Sequence, residues 1–547
     1  MTKARQFLCI ALGVFLLLCV IRVTHREDSF GKPLEIRWVT EEKPFVIIIP
    51  SYNNEEYVKK NLWSVLEQEY SNYRVIFIDD CSTDSTLAEA ALCVETLSAE
   101  ERVTFIHNES NHKALYNVYY AIQTLSDDEI VIVLDGDDWF SHGRVLKEIN
   151  RYYNDPNVWM TYGQYITYPK YEKGKVVQSS IRRENVRGRP AFPQPRTFYA
   201  GLFKKIKMKD LIYEGDFYPS SWDLAVMLPL WEMAKEHSVF IPDVLYVYNR
   251  ESPLNDDKIH KENQLMYNRY IQSLPAYAKL DNFREVENRE GVSALCVFSE
   301  NRPTQLLSFL ESIEKRGKDF SPIHVFYTSS EPEYEKGYSI VKDIFEESVK
   351  FHTWQGEEGF LATIRNISED YITFAKDTFV INREIDGGRA IRLLEKAGAY
   401  AVYFDLGLNV EAIPSKVLAV QENAFIWDFS KGEKEWAVCN RLDMTLYKKE
   451  KVLPFLQRIH FRTMKEFETN WKKGVDLHQV GLFFKESHAV NIPFQITKLG
   501  TSEQILLYTE KELLDRLLEG YKIDIAPVAN IENHSREIDF YPHFLER

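Results

Sequence analysis

The chain has 547 residues, 45% of them hydrophobic and 14% aromatic, which is enough apolar material for two full cores. Its formal charge of −15 excludes nucleic acid and anionic lipid surfaces as principal partners, since both are repelled at long range. Six cysteines with neither metal-ligand nor disulfide-framework spacing point to free, buried thiols.

The first element in chain order is FLCIALGVFLLLCVI (7–21), an uncharged run flanked by Lys3, Arg5, Arg22 and Arg26. It is short for a membrane span but long enough if Arg22 snorkels, and no small-x-small cleavage site follows it. The expectation is a single-pass N-terminal anchor and short stem over 1–42, with the membrane as a partner. Basic residues at both ends leave its orientation open.

KPFVIIIPSYNNEEYVKKNLWSVLEQEYSNYRVIFIDDCSTDST (43–86) reads strand, loop, helix, strand, loop. A continuous apolar run stops at Pro50, and Tyr57, Leu62, Val65 and Leu66 share one helical face. A second apolar run then ends in Asp79 and Asp80. This is a βαβ unit with polar loops at its strand ends, the geometry of a nucleotide site. Neither GxGxxG nor GxxxxGK[ST] is present, so a dinucleotide fingerprint and a P-loop are both excluded.

IVIVLDGDDWF (130–140) is the most informative stretch. It reads as a buried parallel strand whose C-terminal edge presents Asp135, Asp137 and Asp138. Carboxylates this close repel by several kcal/mol at intermediate dielectric. A hard divalent cation, Mg²⁺ or Mn²⁺, relieves that repulsion and completes its shell with substrate phosphates. A solvated acidic turn is the plain alternative.

Taken in order, IIIPSYNNEEYVKKNLWSVLEQ, VIFIDDCSTDST and IVLDGDDWF resemble the three successive signatures of family 2 glycosyltransferases of the GT-A fold, over about 44–274. The resemblance implies an inverting transfer of a sugar from a nucleotide-diphosphate sugar, UDP-linked by preference, to a hydroxyl of a glycan or glycoconjugate. It also implies that Pro50, Tyr52, Asn53 and Glu55 line the nucleotide pocket and that Asp80 reads the base. Asp135 then faces the ribose and metal, Asp137 coordinates the metal, and Lys113 and Asn117 face the pocket. The attacking hydroxyl needs a general base. Asp223, in YPSSWDLAVMLPLWEMAKEHSVFIPDVLYVYN (218–249), sits in the context where the family carries its catalytic Asp, although Trp222 stands where Glu is common. A helix cap is the competing role for Asp223, and Asp216 is the reserve base. RTFYAGLFKKI (196–206) corresponds to an insert that the resemblance places against the acceptor, where its basic residues would meet an anionic acceptor or the diphosphate; a solvated surface loop is the equal alternative.

After a charged linker (281–290), the pattern repeats. GVSALCVFSENRPTQLLSFLESIEKRG (291–317) is strand, loop, helix, SPIHVFYTSSEPEY (321–334) is a strand with a polar loop, and DYITFAKDTFVI (370–381) sits where the acidic motif sat. The alignment sets Ala375, Lys376 and Asp377 against that motif, with Lys376 at the place of Gly136 and close enough to neutralise Asp377. Trp427, Trp436 and Trp471 suit either glycan contact or a core.

The expected fold is therefore α/β: two tandem Rossmann-like GT-A domains behind the anchor, a catalytic one at 43–280 and a degenerate one at 290–547. The expected partners are a nucleotide-sugar donor and a glycan acceptor. Two alternatives stay open, a bifunctional two-site polymerase and a carbohydrate-binding pseudoenzyme.

Overall fold

The computed structural model describes residues 41–174, 186–188, 190–253, 261–285, 291–474, 476–494, 496–499, 503–506 and 508–547. In the first half the strands are β1 (Phe45–Ser51), β2 (Tyr73–Asp79), β3 (Val103–His107), β4 (Ile130–Val133), β5 (Trp139–Phe140), β6 (Met160–Tyr168), β7 (Arg196–Tyr199), the hairpin β8 (Ile212–Tyr213) and β9 (Asp216–Phe217), and β10 (Ser238–Asn249). The helices that matter for the site are α1 (Val58–Leu66), α2 (Thr86–Thr96) and α3 (Lys113–Gln123). They are followed by α4 (Val145–Tyr153), α5 (Ala200–Phe203) and α6 (Trp222–Ala234).

Among the described residues the strands form an eight-stranded sheet in the order β3-β2-β1-β4-β7-β6-β10-β5. Its first four strands are mutually parallel, β7 runs against both of its neighbours, and β10 is parallel to β6. β1 and β4 are buried along their whole length, as strands covered on both faces must be, and the β-branched run VIII suits that position. Contrary to the sequence reading, β1 continues through Pro50 to Ser51. Pairing with β4 ends at Ile48↔Val133, so Pro50 lies beyond the last pair on that side. β10 is a long strand of 12 residues. Pro242 and Asp243 interrupt its apolar run, and register shifts after Phe240 and Val244 absorb them.

The second half builds a nine-stranded sheet. Its strands are β11 (Ser293–Glu300), β12 (Phe320–Thr328), β13 (Val349–Thr353), β14 (Tyr371–Lys376), β15 (Ala401–Gly407), β16 (Leu418–Gln421), β17 (Ala424–Asp428), β18 (Thr445–Lys448) and β19 (Val480–Phe484). The order is β13-β12-β11-β14-β18-β15-β19-β17-β16. Through its first seven strands it repeats the parallel and antiparallel pairings of the first sheet, including a late strand (β18) inserted antiparallel at the centre. One apolar cluster joins the halves, running from Phe45 to Leu517. At the seam the Tyr120 hydroxyl donates to the Ala419 carbonyl at 2.8 Å, and Lys416 and Lys431 pair with Asp216 and Glu214 of the β8–β9 hairpin.

Three expectations change. RTFY, read as part of an acceptor-facing insert, is the central strand β7, with Thr197 to Tyr199 buried. Trp427, Trp436 and Trp471, left open between glycan contact and core, are core residues, each at most 2% exposed, and the six-membered ring of Trp427 fills the space a β-carbon at Gly481 would take. The anchor is withdrawn: among the described residues no helix is long and apolar enough to cross a membrane, and 7–21 lies outside the described residues. Cys81, Cys93, Cys296 and Cys439 are free thiols, as expected.

Deep in the second half, Arg441 is fully buried against Asp405 and Asp443, and Arg536 donates to the same two carboxylates at 2.6 and 2.8 Å. The surrounding cations hold the Asp443 carboxyl well below the usual carboxylate range despite its burial. Removing one partner from such a cluster strands buried charge. Arg441→Met should therefore cost about 3–5 kcal/mol of stability, read as a lowered denaturant midpoint. An unchanged midpoint would show that Arg536 and Lys376 suffice for both acids.

Candidate functional site

The site forms where the C-terminal ends of β1, β2 and β4 meet. The loop after β1 is stapled to the loop after β2. Asn53, in the left-handed region at φ 51°, accepts from the Thr83 amide at 2.8 Å, and its own amide donates to the Ser82 hydroxyl at 3.0 Å. Glu55 accepts from the Ser85 amide at 2.9 Å, at the N-terminus of α2, where a carboxylate also favours the helix dipole. Asn53 and Glu55 thus tie the loop after β1 to the loop after β2, while the Tyr52 ring has the Lys113 ammonium 5.9 Å from its centroid.

Asp80 is 3% exposed and saturated with donors. It accepts from the Asn108 side chain at 2.8 Å, from the Lys113 amide at 2.8 Å, and from the His112 amide, which is shared between its two oxygens at 3.0 and 3.1 Å. Asp80 therefore fixes the N-terminal end of α3 beside the pocket. Asn117 is buried one shell further in and receives the second bond of Asn108 at 2.7 Å.

After β4 the chain turns through 135–138. The Asn61 side chain, fully buried on α1, donates to the carbonyls of both Asp135 (3.0 Å) and Asp138 (2.8 Å) and so pins the two ends of the turn. Gly136 donates to the Pro50 carbonyl at 3.2 Å, and a β-carbon there would sit 2.5 Å from the Ser51 hydroxyl, so only glycine fits this approach. Asp138 turns inward, where it accepts from the Tyr246 hydroxyl at 2.6 Å and the Asn249 amide at 2.7 Å. Burial, and then the charges of Asp137 and Asp135, push its carboxyl well above the ordinary range. Asp135 and Asp137 remain partly exposed at the strand edge. Among the described residues no group of three or more His, Cys, Asp or Glu side chains is placed to hold a metal ion. Two carboxylates at an open edge fit a hard cation that keeps room for phosphate oxygens.

Asp223 lies in the first turn of α6, and it is not the cap. The N-cap is Ser221, at φ 58° and with no side-chain cap bond. Asp223 instead accepts from Arg196 at 2.8 Å through Oδ2 and is 39% exposed. Arg196 opens β7, one step beyond the Ile132↔Thr197 pair with β4, so its backbone lies level with the end of β4, two residues before Asp135. The reserve residue Asp216 is tied to Lys416. Sequence reasoning missed Asn61, Tyr246, Asn249 and Arg196. Of these only Asn61 left a signal, a polar side chain four residues from both Tyr57 and Val65 on the apolar face of α1.

In the second half the equivalent place differs by one residue from the sequence alignment. Asn301 matches Asn53 in its left-handed conformation and accepts from the Ser330 amide. Cys296↔Phe374 then corresponds to Ile48↔Val133, and the bond from Asp377 to the Phe298 carbonyl corresponds to that from Gly136 to Pro50. Lys376 accordingly takes the place of Asp135, not of Gly136. Its ammonium pairs with Asp443 at 2.8 Å and Glu468 at 3.3 Å. Asp377 is 2% exposed and faces Arg302 at 3.7 Å.

Residues 46–211 match the family model described as Glycosyl transferase family 2. The chain is 30% identical over 112 residues to TuaG of Bacillus subtilis, a glycosyltransferase assigned to teichuronic acid biosynthesis, covering 20% of this chain and 43% of TuaG. It is 27% identical over 167 residues to WcaA of Escherichia coli, assigned to colanic acid biosynthesis, covering 29% of this chain and 59% of WcaA. The match thus spans about half the length of these relatives. A solved structure of S. aureus TarS in complex with UDP-GlcNAc matches at 20% identity and a TM-score of 0.34, over 42% of this chain and 65% of that one.

Burial pushes the Asp377 carboxyl up to about 6, against the pull of Arg302. The unfolded chain releases that proton near pH 4 while the folded chain keeps it. Asp377 therefore lowers stability as pH rises from about 4 to about 6, with no further change above. Asp377→Asn, compared with the parent by denaturant unfolding across that window, should shift in the variant's favour by about 2–3 kcal/mol. A pH-independent difference would refute the assignment.

Proposed function

We infer, from a family 2 glycosyltransferase domain at residues 46–211, that this chain transfers a sugar from a nucleotide-diphosphate sugar, UDP-linked by preference, to a hydroxyl of a glycan, with inversion. The observation that carries the reading is the convergence at one sheet edge of Asp80, the 135–138 turn and the Arg196–Asp223 pair. The names of TuaG and WcaA both carry an acidic polysaccharide, so an acidic glycan is the acceptor class we assign here.

Each residue type suits its task. The amides of Asn108 and Lys113 hold one oxygen each of Asp80, and the shared His112 amide is the bond that yields when a base NH is read. Asp135 and Asp137 would hold a divalent cation, Mn²⁺ or Mg²⁺, which supplies charge stabilisation for the departing diphosphate. Arg196 orients Asp223 through Oδ2 and leaves Oδ1 to take the proton of the acceptor hydroxyl. Attack from the face opposite the leaving group inverts the anomeric centre.

The same inference makes 43–280 the catalytic GT-A domain and 290–547 a degenerate GT-A-like partner. Its support is the repeated sheet order together with two charge reversals. Lys376 stands at the place of Asp135. Counted from the N-caps Ser221 and Thr463, Lys465 stands at the place of Asp223. These reversals disfavour a second working site. The retained acids of the first half disfavour a pure carbohydrate binder.

The test is nucleotide release by the chain from a panel of nucleotide sugars with Mn²⁺. Asp137→Ala, or EDTA added to the parent, should lower turnover by several orders of magnitude, each factor of ten being about 1.4 kcal/mol of barrier. Full activity in EDTA would remove the metal from the reading. Asp223→Asn keeps an acceptor for Arg196 but no basic carboxylate, so transfer should fall about 10²–10⁴-fold with nucleotide affinity little changed. Near-parent transfer would move the base elsewhere.

A further inference from the structure

We propose that the groove between α1 and β5 binds a stretch of acidic glycan remote from the reacting end, with a sugar face stacked on Trp63 and its carboxylate or phosphate set against Lys60. The groove is a cavity of about 430 Å³ lined by Lys59, Lys60, Trp63, Ser64 and Trp139. None of these residues has a role in the transfer chemistry. Trp63 is 44% exposed on a surface helix, so close to half of its indole surface is open to solvent. A flat aromatic face open to solvent, with ammonium and hydroxyl groups beside it, is the surface a sugar ring uses. The C–H face of the ring is apolar, and its rim presents hydroxyls.

The choice of an acidic sugar rests on Lys60. Its ammonium lies 3.6 Å from the centroid of Trp139 and 4.4 Å from that of Tyr168, which holds a long, flexible side chain in one place. Lys59 is engaged by Glu89 at 2.7 Å, but Lys60 has no ion pair among the described residues, and Glu251 acts on it only at longer range. A fixed cation between two rings, on a chain of net charge −15, is a local exception that an anionic group fits. Trp139 directly follows Asp138, so one wall of the groove continues in sequence from the acidic turn.

The occupant is taken from the acceptor class assigned above, but the test does not depend on transfer. The full chain is titrated calorimetrically, without donor, with an oligogalacturonate hexamer and with maltohexaose as its neutral counterpart. Saturable binding of the uronate is expected, weakened at least tenfold by Trp63→Ala. Lys60→Gln should reduce uronate affinity to the level of maltohexaose. Nucleotide release from donor alone should be unchanged in both variants, whose side chains lie on the surface. The absence of saturable uronate binding, or equal binding by Trp63→Ala, overturns the site, and equal affinity for the two hexamers overturns its acidic specificity. Loss of nucleotide release in the parent would refute the transferase reading alone.

Discussion

The crowding of three carboxylates into residues 135–138 is the constraint around which the first half is built. At intermediate dielectric each close pair is worth several kcal/mol of repulsion, comparable to a large part of a domain's net stability. The fold divides the problem. Asp138 is turned inward, given the Tyr246 hydroxyl and the Asn249 amide, and held with a raised proton affinity. Asp135 and Asp137 stay at the strand edge. Asn61 and Gly136 keep the turn tight enough for that division to hold, one by bonding both of its ends and the other by having no side chain. α1 is therefore not only a cover for the sheet; it carries the residue that sets the geometry of the acidic edge.

The second half solves the equivalent problem with fixed cations. Lys376 lies between Asp443 and Glu468, and Arg441 and Arg536 lie between Asp405 and Asp443. Asp405, Asp443 and Glu468 each have a cationic side chain of this chain as partner. Two sheets with the same pairings have thus arrived at opposite electrostatics. The mixed sheet accommodates either choice, because the charged residues lie at or beyond the C-terminal ends of β4 and β14 and toward the end of β15.

The strands that could be read from the sequence are those that are buried on both faces. β1, β2 and β4 announce themselves as apolar runs, and the terminal acids of β2 and β4 pointed to the sheet edge where the candidate site lies. What could not be read depends on pairing. β7 looked like a loop insert because RTFY is short and follows a Pro-rich stretch, and only antiparallel pairing with β4 and β6 makes it central. The one-residue shift at Lys376 has the same origin, since strand register is set by tertiary hydrogen bonds and leaves no mark in spacing. Asp223 was found, but its partner Arg196 lies 27 residues upstream on another element. The three buried tryptophans were ambiguous because an indole serves a core and a sugar site equally well. Apolarity alone also suggested an anchor at 7–21 for which the described fold offers no support.

The joint between the halves follows from the relative size of its interactions. Lys416 and Lys431 reach the β8–β9 hairpin that leads into α6, yet all four partners are substantially exposed. Exposed ion pairs contribute about 0–1 kcal/mol each, too little to hold two large units in register. The shared apolar cluster, continuous from Phe45 to Leu517, has the larger effect by far, since each fully buried aliphatic or aromatic side chain contributes about 1.5–3 kcal/mol. The surface lysines then act as direction rather than strength. They fix where the hairpin lies on an interface that apolar contact alone would leave free to slide. The residue they restrain, Asp216, is seven positions before Asp223. The second half therefore holds, through Lys416, the hairpin that leads into the helix carrying Asp223.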